Sequence, residues 1–174
     1  MKALRYLAFV AIAFVVANFA PGPAHAVTAT AIMTFQTMYG VDGPFVGPNH
    51  PVRGIPGDEA PWAIGDGTNG ELDSDGHLVV HVRGLVFANV PSVPPNLRGI
   101  NDAADFRAVV SCLTEKSETA VGHKHVTTQG FPATSTGNAD IDTMVTLPDQ
   151  CIAPVIFILP GDERKWFAVT GFGS

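Results

Sequence analysis

The sequence predicts an all-β fold: a single antiparallel β-sandwich of Greek-key or immunoglobulin-like type, with about seven strands. Three observations carry this. Apolar residues recur at period two, helical spacing is scarce, and glycine and proline divide the apolar runs at short intervals. Strand count alone does not separate a sandwich from a barrel, which stays as the alternative. The chain has 174 residues. With residues 1–26 read as a signal peptide, residues 27–174 make one domain of ordinary size.

The leader reading rests on order. Lys2 and Arg5 give a basic start, Tyr6 to Phe19 is almost unbroken apolar sequence, and Pro21-Gly22-Pro23 breaks any helix. Ala24-His25-Ala26 then offers the small residues that a signal peptidase reads. The apolar run is too short, and too soon followed by breakers, to span a bilayer. The expected product is exported, secreted or periplasmic, with no membrane attachment after cleavage.

The strands follow in chain order. Ala29, Ala31, Met33 and Phe35 alternate with Thr30, Ile32, Thr34 and Gln36. Leu78, Val80 and Val82 alternate with Val79, His81 and Arg83, and Gly84 marks a bulge before Leu85-Val86-Phe87. Phe106, Ala108, Val110 and Cys112 share a face, a weaker strand lies at 121–131, and Ala139, Ile141, Val145 and Leu147 share another face. Val155 to Leu159 is apolar on both sides and forms a hairpin with Trp166 to Val169. A helical turn or two is expected only at Asn101 to Asp105.

Charge and cysteines bound the function. Removing Lys2 and Arg5 leaves eight basic residues against 16 acidic, a formal charge of −8. A nucleic-acid groove needs the opposite sign, so no nucleic-acid partner is expected. Cys112 and Cys151 are not in a C-x-x-C pair, and in an exported chain they are expected to bridge. The bridge closes a 40-residue loop (112 to 151 inclusive), worth roughly 4 kcal/mol in the chain-entropy account.

One segment breaks the even spacing. Gly40 to Pro61 holds five glycines and five prolines in 22 residues without periodicity. A structureless run of that length inside a compact domain is functional or disordered. Phe45, His50, Arg53, Asp58, Glu59 and the adjoining Trp62 make it a candidate recognition loop for an extracellular or cell-surface partner. Its polar, Gly/Pro-rich composition predicts little contribution to the core and a small cost on removal.

Five histidines remain after the leader: His50, His77, His81, His123 and His125. His123 and His125 project from one face of a strand with Cα atoms about 6.6 Å apart, close enough to share an ion. His81 joins them as a third ligand only if its strand is their neighbour. A copper–zinc superoxide dismutase is likewise an exported β-sandwich with a His-x-His strand and one disulfide. That family requires six ligand histidines and an aspartate, with the His-x-His pair ahead of the Gly-rich loop. The five histidines and reversed order here do not meet that pattern. No Gly-x-Ser-x-Gly elbow occurs, Ser111 has no histidine near it in sequence, and Asp73-Ser74-Asp75-Gly76 reads as a hairpin turn rather than a calcium loop.

The expected function is therefore a secreted, non-catalytic binding protein without a cofactor, using loop 40–61 to hold a surface, glycan or protein. The alternative is a metal-binding protein or metal-dependent enzyme built on His123 and His125, with His81. The leader makes the first prediction: intact-mass measurement of the exported protein finds Val27 as its first residue, and a retained Met1 contradicts it.

Overall fold

The computed structural model describes residues 29–117, 120–161 and 164–171. Residues 1–26, expected to be a signal peptide, and Val27 lie outside them. The described residues form β1 (Ala31–Phe35), β2 (Tyr39–Gly40), β3 (Trp62–Ala63), β4 (Asn69–Asp73), β5 (His77–Val82), β6 (Val86–Phe87), β7 (Asp105–Ser117), β8 (Ala120–Thr127), β9 (Phe131–Pro132), β10 (Ala139–Met144), β11 (Ile152–Pro160) and β12 (Ala168–Val169). One sheet runs β1-β4-β5-β10. A second runs β2-β12-β11-β7-β8, with β9 also on β7, and β3-β6 form a small ribbon. Strand pairs are antiparallel throughout. Among the described residues neither large sheet closes on itself. The fold is an all-β sandwich.

Alternation explains the inner faces. Phe35, Leu72, Leu78, Val80, Val82 and Ile141 come from the four-stranded sheet. Phe106, Ala108, Val110, Cys112, Ile156 and Ile158 come from the second, and all twelve belong to one buried cluster. The Ser74-Asp75-Gly76 turn joins β4 to β5, with Gly76 at φ 92° and its N–H donating to the Asp73 carbonyl. The expected hairpin is present. Cys112 and Cys151 are bridged, which ties buried β7 to the start of β11 beside it and fits an extracellular or periplasmic protein.

The helical turn expected at Asn101 to Asp105 is absent; the segment is irregular, with a bend at Ala104. Asn101 is buried, and its side-chain amide donates to the carbonyls of Ala103 and Thr134 while its oxygen accepts from the Ala103 N–H. An asparagine that satisfies the backbone this way competes with helix formation. Asp105 then starts β7 directly.

The larger correction concerns Gly40 to Pro61. Val109, Phe157 and Leu159 lie on the outer face of the second sheet, opposite in register to the core residues, yet all three are buried. What covers them is the Gly/Pro segment together with Trp166. Trp166 is fully buried, with ring centroids 6.3 Å from Phe157 and 6.2 Å from Phe45. Val41 and Ile55 belong to the buried cluster. The Asp58 N–H donates to the Trp166 carbonyl, and the Trp166 N–H to that of Pro56. The glycines serve close approach: a Cβ on Gly57 would lie 2.0 Å from the Phe45 carbonyl oxygen, and one on Gly40 would lie 2.2 Å from that of Trp62.

The segment is a wall of the fold. Replacing Pro44 to Glu59 by a short Gly-Ser bridge removes the burial of Ile55, about 1.5–3 kcal/mol. It also leaves the Trp62 indole N–H without its acceptor, about 1–3 kcal/mol more. Denaturant unfolding should therefore show a loss of about 3 kcal/mol or more, and an unchanged midpoint contradicts the packed loop.

Candidate functional site

The tip of the long segment is a tight hairpin. Val52 and Ile55 exchange two backbone hydrogen bonds of 3.0 and 2.9 Å around Arg53 and Gly54. Arg53 lies at φ 49° and Gly54 at φ 80°, the signs that a type I′ turn demands. A left-handed arginine is strained and persists only where its surroundings hold it. Here its guanidinium donates to the Ser111 carbonyl at 2.9 Å and the Ala153 carbonyl at 2.7 Å. Ala153, itself at φ 44°, lies where the β7–β11 register shifts. The irregular ladder presents the carbonyl that the arginine takes.

Beneath this tip stand His123 and His125 on β8, opposite Leu113 and Ser111 of β7. Their ring centroids are 5.1 Å apart. The His123 Nε2 faces Gly54, where an added Cβ would lie only 3.2 Å away. Desolvation, then the charge of His123, lowers the pKa of His125, against a hydrogen bond with the Arg53 backbone that raises it. A groove of about 630 Å³ opens beside them, lined by Gly54, Ile55, Pro56, Val109, His125, Thr127, Leu159 and Arg164. Loop, sheet and the β11–β12 connection each contribute to it.

The residues expected to act together are divided. His81 is on β5 in the other sheet, its Nδ1 2.7 Å from Asp140 Oδ1, so it does not join His123 and His125. Among the described residues no group of three or more His, Cys, Asp or Glu side chains is placed to hold a metal ion. Trp62 is an internal residue, stacked 3.7 Å from Phe167 with Phe87 tilted against it at 4.1 Å, and its Nε1 donates to Asp58 Oδ2 at 2.9 Å. Asp58 is buried with it, and burial raises its pKa despite the indole hydrogen bond. Phe45 is half-buried against Tyr39 and Trp166. Glu59 is exposed and ion-paired to Lys165, whose hydrogen bond lowers the glutamate's pKa; His50 is exposed. Of the six loop residues, only His50 and Glu59 are exposed.

Sequence reasoning missed Thr127, Val109 and Leu159, which cross-strand register brings under the loop tip, and Arg164, which the β11–β12 connection brings there. It also missed that Ser111 sits directly opposite His125. Ser111 is fully buried and its hydroxyl makes no hydrogen bond within the described structure, so the pair has no nucleophile geometry.

The histidines give a pH prediction. His125 has its folded pKa below the ordinary value, while the Asp142 hydrogen bond holds that of exposed His77 above it. At residue 125 the unfolded chain binds a proton that the folded chain refuses. This group therefore lowers stability as pH falls through the ordinary histidine range toward its folded pKa. Ring-proton NMR should place the two midpoints on opposite sides of about 6.5, and His125→Gln should remove the His125 contribution to the slope. A His125 midpoint at or above that of His77 contradicts this geometry. No protein-family model, no curated protein and no solved structure matches the chain.

Proposed function

We propose that this is an exported, non-catalytic binding module whose mature chain starts at Val27 and which engages an extracellular or cell-surface ligand in the groove beneath residues 54–56. The observation that carries the reading is the groove itself. It is concave, preformed, mostly apolar in its walls, and has a few polar groups at its edge, which is the make-up of ligand sites in general. Its volume lies in the range of such sites. The working surface of the long loop is thus its inner side, near Gly54 to Pro56, in place of the Trp62 and Asp58 cluster that the fold consumes.

A second reading keeps metal in view on one observation, the 5.1 Å between the His123 and His125 rings. Two imidazoles on one tetrahedral ion lie at about that separation, given metal–nitrogen bonds of about 2.0–2.1 Å. The remaining ligands would come from water or from a bound molecule. Elemental analysis of protein purified without chelator or affinity tag separates the two readings.

The groove reading is tested by a small-molecule fragment screen followed by amide NMR. Fragments that bind should shift the amides of Gly54, Ile55, His125 and Thr127. Thr127→Trp, on an exposed strand position where an aromatic residue is tolerated, should abolish the shifts while the protein stays folded. Binding that survives Thr127→Trp, or that shifts residues elsewhere, overturns it.

A further inference from the structure

We infer that the groove selects small amphiphilic acids: a carboxylate held at Arg164, and an apolar body laid along Ile55, Pro56, Val109 and Leu159. The inference rests on the groove being the binding site and adds the chemical class of its occupant. Charge complementarity carries it. Arg164 is the one fully charged residue among the described lining residues, and no described carboxylate lines the groove. The guanidinium of Arg53 is already engaged with two carbonyls, which leaves Arg164 to face a ligand.

Three carboxylates stand on the other sheet. Asp140 and Asp142 of β10 stand opposite His81 and Val79 of β5, and Glu71 of β4 stands on the far side of Val79. Outside the cell, charges more than about 8 Å from the ligand are largely screened. These three carboxylates, a sheet away, therefore weigh less on a bound acid than the arginine touching it. His125 and Thr127 supply further hydrogen-bonding groups beside the arginine.

Arg164 is exposed, so its preference is modest. An exposed ion pair supports a discrimination of about fivefold at most. The test uses 4-phenylbutyrate, 4-phenylbutanol and 4-phenylbutylamine, which share one apolar body and differ in headgroup, titrated into the mature protein and followed by amide NMR. All three should shift groove residues, the acid binding about fivefold tighter than the alcohol and the amine weakest. Arg164→Gln should bring the acid down to the alcohol and leave the alcohol unchanged. If the three bind the groove equally, or Arg164→Gln weakens acid and alcohol alike, the acid class is wrong and the groove stands. If no probe shifts a groove residue, the groove reading fails and this inference falls with it.

Discussion

Trp62 lies between Phe167 and Phe87 with its indole N–H on the Asp58 carboxylate, and the path of the long loop depends on that arrangement. Burying the ring without an acceptor would leave a costly orphan donor. The acceptor must be close in sequence and held rigidly. Asp58 meets both conditions because its own N–H is tied to the Trp166 carbonyl. One aromatic contact thereby fixes the exit of residues 40–61, and the β2 pairing with β12 fixes their entry. A segment anchored at both ends has little freedom left. Its middle lies down on the nearest apolar surface, the outer face of β7 and β11.

That docking changes what the outer face can do. A sandwich normally leaves such a face to water, with polar residues alternating outward. Here Val109, Phe157 and Leu159 are outward and apolar because loop and Trp166 cover them. The cover is incomplete beyond Pro56, and the incomplete part is the groove. Arg53 holds its rim. It accepts left-handed backbone strain in return for two charge-assisted hydrogen bonds to main-chain carbonyls, one at a strand position that is itself left-handed. Rim and floor belong to different parts of the chain, so the site's shape follows from tertiary packing.

Strands with an apolar inner face, such as Leu78-Val80-Val82 and Phe106 to Cys112, were legible because burial on one side imposes period two. β4 was not: in Asn69-Gly70-Glu71-Leu72-Asp73 only Leu72 is fully buried, so no alternation marks it. The disulfide was legible from compartment and cysteine count. The loop's composition was noticed, but glycine and proline suggest mobility and close packing equally, and only the backbone contacts at Gly40 and Gly57 decide between them. Residues two apart on one strand, His123 and His125, were placed correctly on one face. Whether His81 joined them depended on strand order, which local sequence does not encode. The same holds for Thr127, Val109 and Leu159, while Arg164 depended on the path of the β11–β12 connection.

The Gly/Pro segment is a fixed wall of the sandwich and forms one side of a groove. Native-state hydrogen exchange of the Val52 and Ile55 amides tests it most directly, since each donates only to the other's carbonyl at the hairpin tip. If the tip is docked, both amides exchange far more slowly than an unstructured loop and open together with the Trp62 amide, which donates to Val41. Exchange of Val52 and Ile55 at the rate of free peptide, beside a protected β7, would mean that the loop stands off the sheet and that no groove exists.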